Sequence, residues 1–308
     1  MFNTSLKIAF IVLLAFIFRF LKVFNEGDEK ILNAYVYYVA LPAFLLLELN
    51  RLILDKVTFK ISGVIFLSIL AILLLFLIFQ LIFGFEKRWF NILSLSTVFG
   101  STAFFGIPFV SFAYSDSTSL QLTALVASVS GVIGLTIVLL ILEIERSGKI
   151  SFLKLIVTLS KRFARNPLFI SIILGIFLNV AGIKIGGWIY EGLDMVAKST
   201  AVVAIFMLGL FLYGRSYRLI WKGILLALPR VALLPLITFL IAKQIGISGN
   251  VLEILVILQA MPVAITMISI TQKYDFEKEL FSNIVMVSSI SSLFYLNAIR
   301  FVLTIISH

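Results

Sequence analysis

Two apolar stretches of the sequence contain prolines among small polar residues, and they are the best candidates for binding chemistry. The first is the segment 99–108 (FGSTAFFGIP) and the second is the segment 258–266 (LQAMPVAIT). Proline has no backbone N–H and its ring clashes with the preceding turn, so each stretch must leave carbonyl groups without their helical partners. In an apolar surrounding such groups are tolerated where they are buried in protein or line a watery cavity. These segments therefore offer hydrogen bonding to a ligand.

We expect the ligand-binding residues to come from both segments. Hydroxyl and carboxamide side chains supply hydrogen-bond donors. The half-helices that begin beyond the two prolines would present backbone amides with positive partial charge, which suits an anionic group. The alternative is that these side chains only hydrogen-bond neighbouring helices at close contacts. The candidates are Ser101, Thr102, Gly106, Ile107, Pro108, Gln259, Met261, Pro262 and Thr266.

A charged residue inside an apolar run is a further candidate. Arg230 lies about eleven residues into the run 219–242, between Pro229 and Pro235. A charge near the centre of a bilayer is costly and usually marks a function. Arg230 could act electrostatically on an anionic ligand, or it could pair with carbonyls loosened by the flanking prolines. Arg300 lies nearer the end of a run, and we expect its charge to extend into the interface.

Other kinds of site are excluded by residue types that the chain lacks. It has no cysteine, and its single histidine is His308. Thiolate and multi-histidine metal sites and Ser-His-Asp catalysis are therefore not available. No paired carboxylates and no G-x-S-x-G motif are found either. We expect no metal site, no cofactor and no enzymatic activity.

The composition places these candidate residues in a membrane. Hydrophobic residues make up 61% of the 308 residues and charged residues only 13%, with a mean hydropathy of +1.16. Soluble domains carry about 25% charged residues, so a water-soluble fold would have too little charge to cover this much apolar surface. The partner of most of the chain is expected to be the lipid bilayer. The net charge of +10 lies in short loops, which membrane topology explains better than nucleic-acid binding.

Apolar runs bounded by charged or turn residues predict an all-α integral membrane protein with ten spanning segments. Each run is close to the roughly 20 residues that a spanning helix needs. The basic segment 143–165 after the fifth run forms either an interfacial helix on an anionic leaflet or a connecting loop. The predicted spans are 5–24, 30–50, 61–84, 89–114, 119–142, 166–183, 192–214, 219–242, 250–271 and 280–306.

The basic residues predict the orientation of these spans. Of the 25 lysines and arginines, 16 fall on one side of the predicted topology, seven on the other and two inside spans. Because cytoplasmic loops are enriched in basic residues, the richer side should face the cytoplasm. This predicts a multi-pass protein of the cell membrane with both termini outside the cytoplasm.

The two interrupted stretches occupy matching positions in the two halves of the chain. Pro108 and Pro262 are 154 positions apart, which is half of the chain length. Each lies in the fourth span of a five-span half, 1–142 or 166–308, and an odd number of spans makes the second half run in the opposite sense. Interrupted helices at corresponding positions of inverted halves are typical of the midplane binding site of a transporter.

The motifs at these positions resemble those of the auxin efflux carrier family, whose plant members include the PIN-type carriers. The resemblance extends over nearly the whole chain and depends on the order and spacing of several short motifs. They are 38–42 (YVALP), 99–108 (FGSTAFFGIP), 166–167 (NP), 174–179 (LGIFLN), 207–210 (MLGL), Arg230 with Pro235, and 259–264 (QAMPVA).

The resemblance implies a fold like that of bile-acid symporters and sodium/proton antiporters, in which the fourth and ninth helices cross at their breaks. It implies a scaffold of helices 5–50 and 166–214, through which two copies form a homodimer. Helices 61–142 and 219–306 would form a transport domain with an elevator-type motion. The sequence departs from the family at Ser101, where an asparagine is usual.

A second departure is Thr266, near which the family often has asparagine. An amide side chain offers two donors to a carboxylate and a hydroxyl offers one, so we do not expect auxin as the substrate. Our leading hypothesis is a secondary transporter of a small organic anion, a carboxylate. The alternatives are a sodium-coupled symporter of the bile-acid type and a membrane sensor with a transporter fold. Acidic residues near the breaks are missing, which argues against cation antiport: Glu48, Asp116 and Glu253 all fall near the outer ends of spans.

Overall fold

The computed structural model describes residues 2–114, 116–147, 152–214 and 220–307. Within these ranges the regular structure is helical, apart from one isolated pair of bridged residues. The helices are α1 (Phe2–Phe20), α2 (Glu29–Arg51), α3 (Lys56–Phe83), α4 (Lys87–Val98), α5 (Thr102–Ala113), α6 (Ser117–Ser147), α7 (Phe152–Ala164), α8 (Pro167–Val180), α9 (Gly187–Leu212), α10 (Ile220–Gln244), α11 (Gly249–Gln259), α12 (Thr266–Tyr274) and α13 (Lys278–Ser307).

Six of these helices, α2, α3, α6, α9, α10 and α13, are long and apolar enough to cross a membrane. Helices α5, α8 and α11 are apolar but shorter. The predicted fourth span is divided into α4 and α5, and the predicted ninth span into α11 and α12. These features describe an all-helical, multi-pass membrane protein. The arrangement of ten spans in two inverted halves stays a prediction.

The basic segment between the halves contains helix α7. The interpretation of this segment as a mere connecting loop is therefore wrong for residues 152–164, because their backbone is helical. Residues 148–151 lie outside the described part of the chain. The position of α7 at a membrane surface stays a prediction.

Several helices begin and end at residues whose local chemistry explains the boundary. The Asp55 Oδ1 atom accepts a hydrogen bond of 2.9 Å from the Thr58 backbone N–H and caps the start of α3. The same helix ends at Gly84, whose φ of 66° is favourable for glycine. The Asn166 side chain caps α8, and Pro167 follows at the first helical position, where a missing N–H does no harm.

Three of the helices widen into a π-helical turn at the same distance before a proline. The proline cannot donate to the carbonyl one turn earlier and its ring clashes with it, and a wider turn relieves that clash. Pro108 consequently lies inside α5, so the expectation that this half-helix begins beyond Pro108 is wrong. The π-helical turns are Val36–Ala40, Thr102–Gly106 and Pro229–Leu233, and the prolines two residues after them are Pro42, Pro108 and Pro235.

The chain forms two compact units. The first comprises Met1–Leu54, Ala103–Ser128 and Arg162–Ser216, and the second comprises Asp55–Thr102, Val129–Lys161 and Tyr217–His308. The second unit contains the non-helical residues between α4 and α5 and those between α11 and α12. It therefore contains both breaks.

In the first unit, α2 and α8 pack closely. A Cβ atom on Gly175 of α8 would lie 3.0 Å from the Leu46 carbonyl oxygen of α2, so only a glycine fits there without a shift. The Asn179 side-chain N–H group donates to the carbonyls of Leu49 (2.7 Å) and Leu52 (2.6 Å) at the end of α2. One side chain of α8 thereby partners two carbonyls that the end of α2 leaves free.

In the second unit, α10 packs against both α13 and α4. A Cβ atom on Gly223 would lie 3.2 Å from the Asn283 carbonyl oxygen of α13. The Ser96 hydroxyl of α4 donates a 3.0 Å hydrogen bond to the Leu226 carbonyl of α10. These contacts place the middle of α10 beside the end of α4, where the first break begins.

Candidate binding site at the helix breaks

The two breaks lie side by side in the second unit. Residues 99–101 follow α4 and residues 260–265 follow α11, and neither segment is helical. Gly100 and Val263 face each other as an antiparallel bridge. We call residues 99–101 and 260–265 the crossing.

Two backbone hydrogen bonds join the two segments of the crossing. The Ser101 N–H donates to the Pro262 carbonyl at 2.7 Å, and the Ala264 N–H donates to the Phe99 carbonyl at 3.0 Å. Each break thus supplies a donor and an acceptor to the other. This exchange partners backbone groups that neither helix could satisfy alone.

Side chains from two further helices partner the remaining carbonyls. Arg230 on α10 donates from Nε to the Met261 carbonyl and from Nη1 to the Thr97 carbonyl, both at 2.9 Å. The Tyr295 hydroxyl on α13 donates to the Ala260 carbonyl at 2.9 Å. All three carbonyls lie at the C-terminal ends of α4 and α11, where a helix leaves its last carbonyls free.

Arg230 is fully buried, with 1% of its surface exposed. It belongs to the π-helical turn of α10. A Cβ atom on Gly100 would overlap the guanidinium group, so the absence of a side chain at Gly100 makes room for it. Within the described ranges, the hydrogen bonds of Arg230 go to carbonyls and none goes to a carboxylate. The Nη2 atom is buried without a partner.

The two alternatives for Arg230 can now be compared with its contacts. It pairs with carbonyls, but these belong to the crossing and not to the turn that its flanking prolines loosen. Its Nη2 atom has no hydrogen-bond partner in the protein and could donate to a ligand. The Arg300 Nε atom lies 3.2 Å from a carboxylate oxygen of Glu253, and the extension of its charge into the interface stays a prediction.

Gln259, the last residue of α11, is buried next to the crossing. Its Nε2 atom donates to the Ser130 hydroxyl of α6 at 3.1 Å, and its Oε1 atom is buried without a partner. The hydroxyl of Ser101 is likewise buried and unpartnered. In the second segment of the crossing, the Val263 N–H donates a 3.2 Å hydrogen bond to the Ser288 hydroxyl of α13.

The structure brings together part of the predicted set of site residues. Hydrogen bonds at the crossing involve Ser101, Met261, Pro262 and Arg230, and Gln259 ends the helix that leads into it. Thr102 is buried at the start of α5 and Thr266 is partly exposed at the start of α12. The remaining predicted residues lie in the first unit, within α5: Gly106, Ile107 and Pro108.

Sequence reasoning missed three residues that hold the crossing in place. They are Ser130, Ser288 and Tyr295. Each lies in a long apolar helix with several other hydroxyl residues, so the sequence carries no signal that selects these positions. The described residues contain no group of three or more His, Cys, Asp or Glu side chains that could hold a metal ion.

Comparison with known proteins places the chain in a family. The sequence matches the model of a family of membrane transport proteins over residues 1–300. The chain belongs to this family. It is also 23% identical over 299 residues to an uncharacterized transporter of Methanocaldococcus jannaschii, a match covering 94% of this chain and 95% of the relative.

The family resemblance expected from the motifs is thereby confirmed. The protein is a multi-pass membrane transporter. The family match covers both units, since it extends from α1 into α13.

Proposed function

We propose that this membrane transporter carries a small organic anion, a carboxylate, and that the crossing is its binding site. The observation that supports this most directly is a set of buried polar atoms without protein partners. They belong to the crossing or its immediate neighbours: Ser101 Oγ and Arg230 Nη2, which can donate to a carboxylate, and Gln259 Oε1, an acceptor that would need an N–H or O–H group of the ligand or a water. Buried polar groups are nearly always hydrogen-bonded, so such atoms favour the presence of a ligand or water.

The free donors beside the crossing favour a ligand that accepts hydrogen bonds. The Arg230 Nη2 atom is buried without a partner, and no carboxylate in the described part of the second unit pairs with this arginine. The N-terminus of α12 at Thr266 carries positive partial charge that no side chain in its first turn offsets. A carboxylate would add charge-assisted hydrogen bonds at this buried position.

The transport step in this proposal is an elevator-type motion. Helices 61–142 and 219–306 would carry the bound anion against scaffold helices 5–50 and 166–214, and two copies would associate through the scaffold. The protein would lie in the cell membrane. The crossing lies wholly within the second unit, which suits a site that moves as a body with its ligand; residues 103–128, counted here among the moving helices, belong to the first unit.

The test is a ligand screen on the purified protein. We expect particular small carboxylates to raise the temperature of thermal unfolding, because a ligand that binds only the folded state stabilises it by mass action. The shift should disappear in S101A and Q259A. It should persist in S68A, a matched control whose hydroxyl bonds only its own helix at the Val64 carbonyl. Uptake into proteoliposomes should be saturable for the same compounds.

Two results would contradict the proposal. One is stabilisation by neutral compounds alone, and the other is full saturable uptake in both crossing variants. A strict dependence of the carboxylate effect on sodium would instead favour the sodium-coupled alternative. We do not expect that dependence, since no carboxylate ligand for sodium contacts the described crossing.

A further inference from the structure

The C-terminal ends of α4 and α11 meet within the second unit. A helix end carries roughly half a negative charge, because its last carbonyls are unpaired and its peptide dipoles align. Two such ends close together repel each other, and the backbone bonds of the crossing and the Tyr295 hydroxyl partner only some of their carbonyls. The crossing therefore needs a positive group that both ends can share.

Arg230 has the geometry for this task. Its Nε and Nη1 atoms reach the Met261 carbonyl after α11 and the Thr97 carbonyl in the last turn of α4, at equal distances of 2.9 Å. Since each helix end carries roughly half a charge, one guanidinium matches the sum of the two. The planar fork of arginine can bond two carbonyls at once, whereas a lysine ammonium is a single point charge.

Gly100 completes the arrangement. The guanidinium lies against its Cα atom, where any larger residue would place a Cβ atom on top of it. The glycine thus has a steric purpose at the centre of the crossing, in addition to forming the bridge with Val263.

We infer that Arg230 is a positioning residue: a fixed countercharge, admitted by Gly100, that holds the C-terminal ends of the two half-helices together. This role goes beyond the proposed anion transport and does not depend on it, since it concerns the empty protein.

The first experiment is chemical rescue of a variant that lacks the guanidinium. We expect R230A to unfold at a temperature lower than the wild type by roughly 10 °C, since it leaves two buried carbonyl ends without donors. Millimolar guanidinium, far below the molar range that denatures proteins, should restore at least half of that loss. Urea has nearly the same shape but no charge, and it should restore nothing.

The controls separate a specific site from a general salt effect. Guanidinium at this concentration should leave the wild type unchanged and should not rescue R300A, which removes a different partly buried arginine. Equal rescue by urea, or no rescue by guanidinium, would overturn the inference.

A double-mutant cycle tests the contact with Gly100. G100A should lower the unfolding temperature of the wild type, because the new methyl group displaces Arg230. In the R230A background the same change should have little effect, since the obstructed group is gone. Additive effects of the two changes would contradict the inference. If R230A does not fold, R230M, which retains the aliphatic stem, serves in the same cycle.

Both measurements use unliganded protein. Failure of the carboxylate screen would therefore leave this inference intact, and failure of the rescue would leave the anion proposal to its own test.

Discussion

Two glycines on the same helix, Gly131 and Gly134 of α6, differ in what faces them. Nothing lies within 4 Å of the position that a Cβ atom on Gly131 would occupy. A Cβ atom on Gly134 would lie 2.6 Å from the Val98 carbonyl oxygen, which is backbone at the entrance to the first break. One turn of helix thus separates a tolerant position from one that sets how closely α6 approaches the crossing.

We therefore predict that only one of the two alanine substitutions lowers the stability of the protein. G134A should destabilise the protein by about 1–3 kcal/mol, because the Val98 backbone must move. G131A should be neutral or stabilise by up to about 1 kcal/mol, since alanine favours the helix. Thermal unfolding of both variants checks this. Equal destabilisation by the two changes would mean that the close contact with Val98 is unimportant.

The sequence predicts only part of the site at the scale of residues. Pro108 and Pro262 locate both breaks, because a missing N–H has the same consequence in any helix. The partners of the freed carbonyls are not predictable in this way. Tyr295 and Ser288 lie on α13, whose apolar pattern does not reveal which of its faces meets the crossing.

At the scale of helices, the short motifs acquire physical roles. Asn166 caps α8, and Gly175 lets α8 approach α2. Asn179 then closes the end of α2. Gly209 of α9 faces Ala15 of α1, where an added Cβ atom would lie 2.6 Å from the alanine methyl group. The sequence marks these positions, but the contact that each one makes depends on a partner far away in the chain.

The Asp116 carboxyl at the start of α6 should make the free energy of unfolding depend on pH. Asp116 accepts hydrogen bonds from the Ser119 hydroxyl (2.7 Å) and the Ser119 backbone N–H (2.8 Å). These bonds hold the pKa of the Asp116 carboxyl below its ordinary value, the hydroxyl being the larger cause. Because the folded pKa is depressed, the carboxylate contributes stability above its ordinary pKa of about 3.9, and this is lost as pH falls through the lower folded pKa.

We predict that D116A lowers stability by about 1 kcal/mol at neutral pH, through loss of the helix cap. The difference from the wild type should shrink as the pH falls below about 3.9. Unfolding temperatures of both proteins across this range measure the effect. D116N keeps a capping side chain without a titrating group, so its stability should lack this acid-dependent contribution. A constant wild-type advantage over D116A at all pH values would contradict the cap assignment.

At the scale of the whole molecule, hydropathy and charge indicate a membrane protein and its long helices. They do not determine which helix faces meet, because lipid and protein interior are both apolar. The breaks decide the topology. A broken helix can cross the bilayer or can return to the side from which it entered.

A chain without cysteine makes the topology directly testable. We predict that single cysteines at Lys87 and Lys273 react with an impermeant maleimide only from the cytoplasmic side. Those at Thr118 and Asn250 should react only from outside, because Lys87 and Thr118 bracket the first broken span, and Asn250 and Lys273 bracket the second. All four positions are exposed. Reaction of K87C and T118C from the same side would show that α4 and α5 re-enter and do not cross.

The antiparallel bridge at the crossing also constrains how the protein is made. The Phe99 carbonyl accepts its hydrogen bond from the Ala264 N–H, which is synthesised 165 residues later. At ordinary translation rates this interval is roughly 8–33 s. During that time the first break holds bare carbonyls that lipid cannot satisfy. The first half alone should therefore be a substrate for chaperones or proteolysis, and neither half matures until its counterpart has been inserted beside it.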